Sequence, residues 1–197
     1  MKVLSSMILA ASINAIGIGS ASAAVVFSDD FESYSAAIPS ASSFGGWNVT
    51  GGTVDIIGDT PYDFFPSNGK YIDLDGSNSS PGLLSTNAIF AAGTYVIKFD
   101  LAGSQRGDSN TVTVNFGGQS WQYTLASTAV FQQFSQTVSF LSPTNTALSF
   151  QNGGGDNIGA LLDNVLVTSV PEPSTYGMIF GGLIMVAGMV ARKSRNA

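Results

Sequence analysis

The sequence predicts an all-β domain folded as an antiparallel β-sandwich of two sheets. Short alternating or apolar segments follow one another, Gly, Ser, Asn and Pro separate them, and no stretch between the termini keeps a helical period. Residues 94–101 form the clearest strand, with Tyr95, Ile97, Phe99 and Leu101 on the face that we expect to be buried. Many short strands at such spacing are typical of a sandwich.

A hairpin follows this strand. Residues 111–116 place Val112, Val114 and Phe116 on one face, a Gly-Gly pair turns the chain, and residues 119–125 alternate in the same way. The remaining strands are expected at residues 25–27, 53–57, 70–74, 134–140, 147–151 and 160–168.

The two ends of the chain predict that the protein is exported, and they are not expected to belong to the folded domain. Residues 1–23 have the composition of a signal peptide, with a basic start, an apolar stretch and small residues at Ala21 and Ala23 for cleavage before Ala24. An uncleaved N-terminal anchor is the alternative. The fold is therefore expected in residues 24–169, the size of one domain.

Residues 170–197 form a tail in three parts. A turn at Pro171, Glu172 and Pro173 precedes a predicted transmembrane helix over residues 177–191, and a basic cluster ends the tail. The cluster consists of Arg192, Lys193 and Arg195. The apolar run is short for a permanent span and contains glycines, which favours a transient signal over an ordinary C-terminal anchor.

This tail resembles the PEP-CTERM sorting signal of Gram-negative bacteria, which is also catalogued as an ice-binding protein C-terminal domain. The resemblance implies recognition by an exosortase-type membrane protease and cleavage near the Pro-Glu-Pro motif. It further implies a body that is anchored transiently, then released or attached at the cell surface, often in bacteria that make extracellular polysaccharide.

Composition excludes several classes of function. The chain has no His, which removes Ser-His-Asp and Cys-His catalysis and most zinc sites, and no Cys, so no disulfide supports an exported fold. Between the termini, three basic residues face 12 acidic ones, a net charge of −9. Nucleic acid is therefore not an expected partner, whereas divalent cations are.

Short motifs along the body add a second resemblance. Asp-Phe-Glu at residues 30–32, Gly-Trp at 46–47, Tyr-Ile-Asp-Leu-Asp-Gly at 71–76 and Leu-Asp-Asn-Val at 162–165 follow one another in an order similar to that of choice-of-anchor and DUF642-type surface proteins. The resemblance implies a galactose-binding-like jelly roll with a structural calcium ion that joins the first and last strands.

The residues themselves also favour calcium. Asp29, Asp30 and Glu32 cluster near the first strand, and Asp163 interrupts an apolar last strand, where a carboxylate needs a partner. The alternative is that Asp163 accepts hydrogen bonds from backbone amides and that the other acids are solvated.

Other polar groups are interpreted as surface features. Asp55, Asp59 and Asp63 are expected on loops, and Asp73 and Asp75 beside a turn at Gly76. The Arg-Gly-Asp triplet at residues 106–108 is interpreted as a solvated turn and residues 152–157 as a flexible loop.

Aromatic residues on a Pro-bounded loop are the ligand-binding candidates. Tyr62 and Phe64 lie between Pro61 and Pro66, near acids and amides that could bond sugar hydroxyls. Packing in the core is an equal alternative for both, and it is the expectation for Trp47.

Three functions remain open. The first is a non-catalytic protein of the cell surface or extracellular matrix, associated with exopolysaccharide. The second is a lectin-like carbohydrate-binding module. The third is a carboxylate-dependent enzyme acting on glycosides, which is disfavoured because Glu32 is the only Glu of the body.

Overall fold

The prediction of an antiparallel β-sandwich is confirmed. The computed structural model describes residues 23–36, 43–58, 61–88, 90–142 and 146–170, and in the tail Gly181, Gly182, Ile184, Met185 and Arg192. The described strands form two six-stranded sheets in which all strand pairs are antiparallel. The strands are β1 (Ala24–Asp29), β2 (Ser43–Phe44), β3 (Trp47–Thr50), β4 (Asp55–Ile57), β5 (Tyr71–Asp73), β6 (Leu83–Thr86), β7 (Gly93–Ala102), β8 (Asn110–Phe116), β9 (Gln119–Leu125), β10 (Gln132–Phe140), β11 (Ser149–Asn152) and β12 (Leu161–Val170).

The chain passes back and forth between the two sheets. Sheet I has the order β10-β7-β12-β5-β4, and β1 also pairs with β12. Sheet II has the order β2-β3-β6-β11-β8-β9. All nine predicted strands are present, whereas β2, β3 and β6 were missed. In β6 the buried positions are Leu84 and Thr86, and a polar residue at a buried position hides the alternation.

The core lies where the inner faces of the two sheets meet. The predicted alternation of β7 is confirmed, since Tyr95, Ile97, Phe99 and Leu101 are all buried. Trp47 is also in the core, as expected, with a fully buried ring that packs against Phe27, Phe31 and Phe150. Aromatic rings therefore link strands of both sheets.

β12 changes its partner halfway along its length. Its first residues pair with β5 and its later residues with β1, and the register shifts between Asp163 and Leu166. Asn164 has a φ of 49° at this bulge, a conformation that Asn tolerates better than most residues. The end of β1 and the start of β5 consequently lie one after the other along the same edge of β12.

Acidic side chains accept hydrogen bonds at this junction from the segment that precedes β5. The Lys70 backbone N–H donates to Glu32 Oε1 over 2.9 Å, and Asn68 Nδ2 donates to Asp163 Oδ2 over 2.9 Å. Gly69, between these donors, has a φ of 84°, and a Cβ there would lie 1.8 Å from Glu32 Oε1. A larger residue here would displace the Glu32 carboxylate and would be strained at this positive φ, so the position favours glycine.

The predicted terminal segments lie largely outside the described residues. This holds for Ala21 and for the Pro171, Glu172 and Pro173 motif, so signal cleavage and tail processing stay predictions. Of the predicted basic cluster, only Arg192 is described. Within the described parts of the chain, no helix has the length and apolar character needed to span a membrane.

We expect Asp29 to be a stability determinant. Its side chain accepts hydrogen bonds from Trp47 Nε1 at 2.8 Å, Tyr34 OH at 2.6 Å and the Phe31 backbone N–H at 2.9 Å. Asp29→Ala leaves a buried indole N–H without this acceptor and should lower the free energy of unfolding by about 2–4 kcal/mol. Urea denaturation measures the change. Asp30→Ala is the control, because Asp30 is exposed and, among the described residues, accepts the nearby Glu32 N–H at 3.3 Å. Equal losses in the two variants would contradict this role.

Candidate functional site

A cavity of about 300 Å³ lies against β4 and β5 of sheet I. Ile56 and Ile72 belong to the core between the sheets. Because side chains alternate along a strand, Asp55 and Asp73 point to the opposite, outer face. Loop residues complete the wall, which includes Asp55, Asp73, Tyr62, Phe64, Arg106 and Asn157.

The loop between Pro61 and Pro66, called the aromatic loop, is held in place by a residue of β5. Buried Tyr71 accepts hydrogen bonds at its hydroxyl from the backbone N–H groups of Phe64, at 2.6 Å, and Phe65, at 3.1 Å. The same hydroxyl donates to Asp63 Oδ1 over 3.0 Å. Phe65 packs against Tyr71 and Phe131, with ring centroids 6.2 and 4.9 Å away. A second apolar cluster therefore holds the loop on the outer face of sheet I.

Tyr62 and Phe64, the predicted ligand-binding residues, both line this cavity but differ in exposure. Tyr62 is 55% exposed. Phe64 is half-buried, and the guanidinium of Arg106 lies 5.0 Å from its ring centroid. Tyr62 is therefore largely accessible at the cavity, whereas Phe64 contacts Arg106.

Two carboxylates form the polar floor of the cavity. Asp55 and Asp73 are directly paired across β4 and β5, and they are only 6% and 3% exposed. Asp55 accepts hydrogen bonds from the backbone N–H and the hydroxyl of Ser77. Asp73 accepts the Asp75 N–H at 3.1 Å. The interpretation of Asp55 as a loop residue was wrong, because it lies within a buried strand, and Asp73 likewise belongs to β5.

Arg106 connects this floor to two distant loops. Its Nη2 donates to Asp73 Oδ2 over 2.5 Å, and its Nη1 donates to the Asn157 carbonyl over 2.6 Å. The interpretation of the Arg-Gly-Asp triplet as a solvated turn was therefore wrong. Asp108 also has partners, since it accepts hydrogen bonds from Ser104 and Asn110.

Burial changes the protonation of the carboxyl groups. It raises the pKa of Asp73 to about 7, although Arg106 and the Asp75 N–H lower it, and nearby Asp55 adds to the increase. Burial also raises the pKa of Asp163 to about 6, against the hydrogen bonds from Asn68 and Asn164. Both groups hold a proton more tightly than a solvated carboxyl does.

The predicted metal ligands lie at the junction of β1, β5 and β12. Asp29 accepts hydrogen bonds from aromatic side chains, and Asp30 accepts one from a backbone N–H in its own turn. Glu32 and Asp163 accept hydrogen bonds from the residues that immediately precede β5. Asp29 and Asp30 also border a wider groove of about 630 Å³. Among the described residues, no three acidic side chains are grouped closely enough to hold a metal ion, and calcium here stays a prediction.

Sequence reasoning missed the polar half of the cavity. Asp55 and Asp73 each stand beside an isoleucine in a short apolar strand, which is the same pattern that drew attention to Asp163. Arg106, one of three basic residues in the body, was a second signal. Asn157 carried no such signal, because its position depends on where its loop folds.

No family model matches the chain, and no curated protein is significantly similar to it. Several solved structures are similar in fold. A CBM22-1 xylan-binding domain from Paenibacillus barcinonensis is 14% identical, with 79% of this chain and 100% of that chain covered and a TM-score of 0.45. The carbohydrate-binding module CBM6cm-2 of a Cellvibrio mixtus lichenase, in complex with cellotriose, is 16% identical over 75% of this chain and 100% of that one, with a TM-score of 0.39.

An exo-β-1,3-galactanase from Phanerochaete chrysosporium is 18% identical, with a TM-score of 0.41. The match covers 75% of this chain but only 29% of the galactanase. At these identities the likeness concerns the fold alone.

We expect Asp73 to make folding stability depend on pH. Because its pKa is raised from 3.8 to about 7 on folding, the folded chain binds more protons than the unfolded chain between these values. The free energy of unfolding should therefore fall as pH rises from 4 to 7, by about 3–4 kcal/mol from this group at 1.36 kcal/mol per pKa unit. Urea denaturation at pH 4.5 and 8 should show that Asp73→Asn has a smaller fall than the wild type. The exposed Asp30→Asn should match the wild type, and an unchanged fall in Asp73→Asn would contradict the assignment.

Proposed function

We propose that the protein is a non-catalytic carbohydrate-binding module. The observation that carries this proposal is the exposed ring of Tyr62 beside a buried polar floor formed by Asp55, Asp73 and Arg106. A sugar needs both surfaces, because its C–H face packs on an aromatic ring while its hydroxyls exchange hydrogen bonds with fixed polar groups. We base the proposal on these side chains and not on the fold likeness to carbohydrate-binding modules.

The cavity is arranged before any ligand enters. Tyr71 holds the aromatic loop by two backbone hydrogen bonds, and Arg106 is held by an ion pair, a carbonyl and a ring contact. Binding then orders few side chains, which lowers its entropic cost. The volume of about 300 Å³ lies at the lower end for ligand pockets, which favours a single sugar unit over a long chain segment.

Binding without hydrolysis fits the carboxylates better than catalysis does. Glycosidases place two carboxyl groups on either side of the scissile bond, about 5–9.5 Å apart. Asp55 and Asp73 instead lie side by side on one floor, and both accept hydrogen bonds from the protein. A bond resting on this floor would have both acids on the same side.

For location, we propose export from a Gram-negative bacterium and sorting by an exosortase-type protease, followed by association with extracellular polysaccharide at the surface. The apolar segments at both ends and the Pro-Glu-Pro motif with its basic cluster support this. A body free of Cys and His, with a net charge of −9, is compatible with it.

We expect Tyr62 to contribute measurably to glycan affinity. In affinity electrophoresis of the full-length chain through xylan, β-glucan and galactan gels, at least one polysaccharide should retard the wild type. Tyr62→Ala should weaken that binding about 2- to 12-fold, from the loss of about 0.5–1.5 kcal/mol of ring contact. Tyr62→Phe keeps the ring and should remain within about twofold of the wild type by the same reasoning. Binding to no glycan in a broader array would refute the proposed function.

Processing of the tail has its own test. Intact-mass analysis of the protein recovered from its native envelope should give a chain that starts at Ala24 and ends near Pro171-Glu172-Pro173. A replacement of Pro171 and Pro173 by Ala should leave the tail uncut if the motif directs cleavage. A mass that retains residues 177–191 in the wild type would instead indicate a permanent anchor.

A further inference from the structure

One side of the sandwich is built without charged residues. Residues 109–155 contain no Asp, Glu, Lys or Arg, and they supply β8, β9, β10 and β11. The 12 acids and three bases of the body all lie elsewhere in the chain. β10 ends the strand order of sheet I, and β9 ends that of sheet II. The rings of Tyr123 on β9 and Phe134 on β10 have centroids 4.5 Å apart, so both uncharged edges lie on the same side.

β10 has the form of an edge strand that can accept another strand. It pairs with β7 over nine consecutive residues without a bulge, and no strand in the described part of the chain lies on its other side. Folded proteins usually protect such an edge with a charge, a proline or a bulge, or they keep the strand very short. β10 has none of these features. Its outer backbone N–H and C=O groups are therefore placed to form a further ladder.

Two exposed apolar side chains flank β10. Val130, two residues before the strand, is 63% exposed, and Leu141, directly after the strand, is fully exposed. When two copies of a strand pair antiparallel about a two-fold axis, the start of each strand lies beside the end of the other. Val130 of each copy then lies close to Leu141 of the other copy. The exposed apolar groups are thus placed as a self-complementary contact requires.

The charge of the body selects the partner for this edge. A net charge of −9 makes two copies repel each other over most of their surface, and the uncharged edge is where they can approach at the lowest electrostatic cost. A partner held by ion pairs would find no counter-charge on β10. The open ladder, the flanking apolar groups and the missing charge therefore all favour a second copy of the same chain.

We propose that the protein forms a homodimer by antiparallel pairing of β10 with β10 of a second copy. Pairing all nine residues places Gln136 opposite Gln136 of the other copy, because position 136 is the centre of the strand. The half-buried ring of Phe134 then lies opposite Val138 of the other copy, a favourable cross-strand pair. The two copies of sheet I form one continuous sheet.

This dimer leaves both candidate cavities open. The cavity lies against β4 and β5, at the opposite end of the strand order of sheet I from β10. A two-fold axis perpendicular to the joined sheet keeps both outer faces on one side, with the cavities about nine strand spacings, or roughly 40 Å, apart. If the cavities bind glycan as proposed, one polysaccharide chain can be held at two points, which increases avidity. The pairing itself does not depend on glycan binding.

The absence of Cys from the chain allows a direct test of the pairing. Gln136→Cys places two thiols opposite each other at a Cα separation of about 4.5–5.5 Å, within the range of a disulfide. Mild oxidation of the full-length chain in a nonionic detergent should give a cross-linked dimer on a non-reducing gel.

Gln133→Cys is the matched control on the same strand. Position 133 pairs with position 139 of the other copy, so the two introduced thiols lie six residues apart along the strand, roughly 20 Å, and should not cross-link. Equal cross-linking of the two variants would overturn the antiparallel arrangement, and so would no cross-linking of Gln136→Cys.

Added charge should dissociate the dimer. Ser135→Glu combined with Thr137→Glu brings like charges opposite each other across the two copies, whereas within one copy both positions are exposed and Ser135 is paired with Lys98. Sedimentation velocity should show a dissociation constant at least about 10-fold higher than that of the wild type. Asn48→Glu combined with Thr50→Glu adds the same charge to exposed positions of β3 and should stay within about threefold of the wild type by the same reasoning. Equal weakening in both pairs would overturn β10 as the interface.

A second variant leaves the strand itself unchanged and decides the matter if the charged variant does not fold. Leu141→Ser should weaken the dimer about 3- to 10-fold through lost apolar burial, whereas Val25→Ser, which removes an exposed apolar side chain from β1, should not. A monomer at all concentrations, or open-ended larger species in place of a dimer, would overturn the pairing. Either result leaves the proposed glycan binding of the single cavity intact.

Discussion

Alternation along β5 couples the interior of the sandwich to the cavity on its outer face. Ile72 packs between the sheets, while Tyr71 and Asp73 are buried on the opposite side. The hydroxyl of Tyr71 then holds the aromatic loop, and the carboxylate of Asp73 holds Arg106. A shift of one residue in this strand would exchange both faces, so its register between β4 and β12 determines core and site together.

The chain has no Cys, so no disulfide can link distant segments, and acidic side chains form such links instead. At the junction of β1 and β5, Glu32 and Asp163 accept hydrogen bonds that link segments far apart in the chain, and Asp29 holds the indole of Trp47. In the cavity, Asp55 and Asp73 are instead directly paired across β4 and β5, and Asp73 accepts a hydrogen bond from Arg106. Burial raises the pKa of Asp73 in the cavity and of Asp163 at the junction.

Much of the fold could be predicted from local sequence patterns. The strand at 94–101 and the hairpin after it were visible because each buries every second residue, and Trp47 was correctly assigned to the core. The site was only half visible. Tyr62 and Phe64 were found from a Pro-bounded aromatic loop, whereas Asp55 and Arg106 were assigned to the surface, because an acid or a base in a polar segment does not reveal its burial.

The sequence by itself determined the class of fold, the position of most strands and an export-like pattern at both ends, since these depend on local periodicity and composition. Only the tertiary structure decided which polar groups meet. Asp73 and Arg106 are 33 residues apart in the chain, and Arg106 and Asn157 are 51 apart. Such contacts follow from strand order and loop path, which no local pattern encodes, and they turn scattered charges into one cavity.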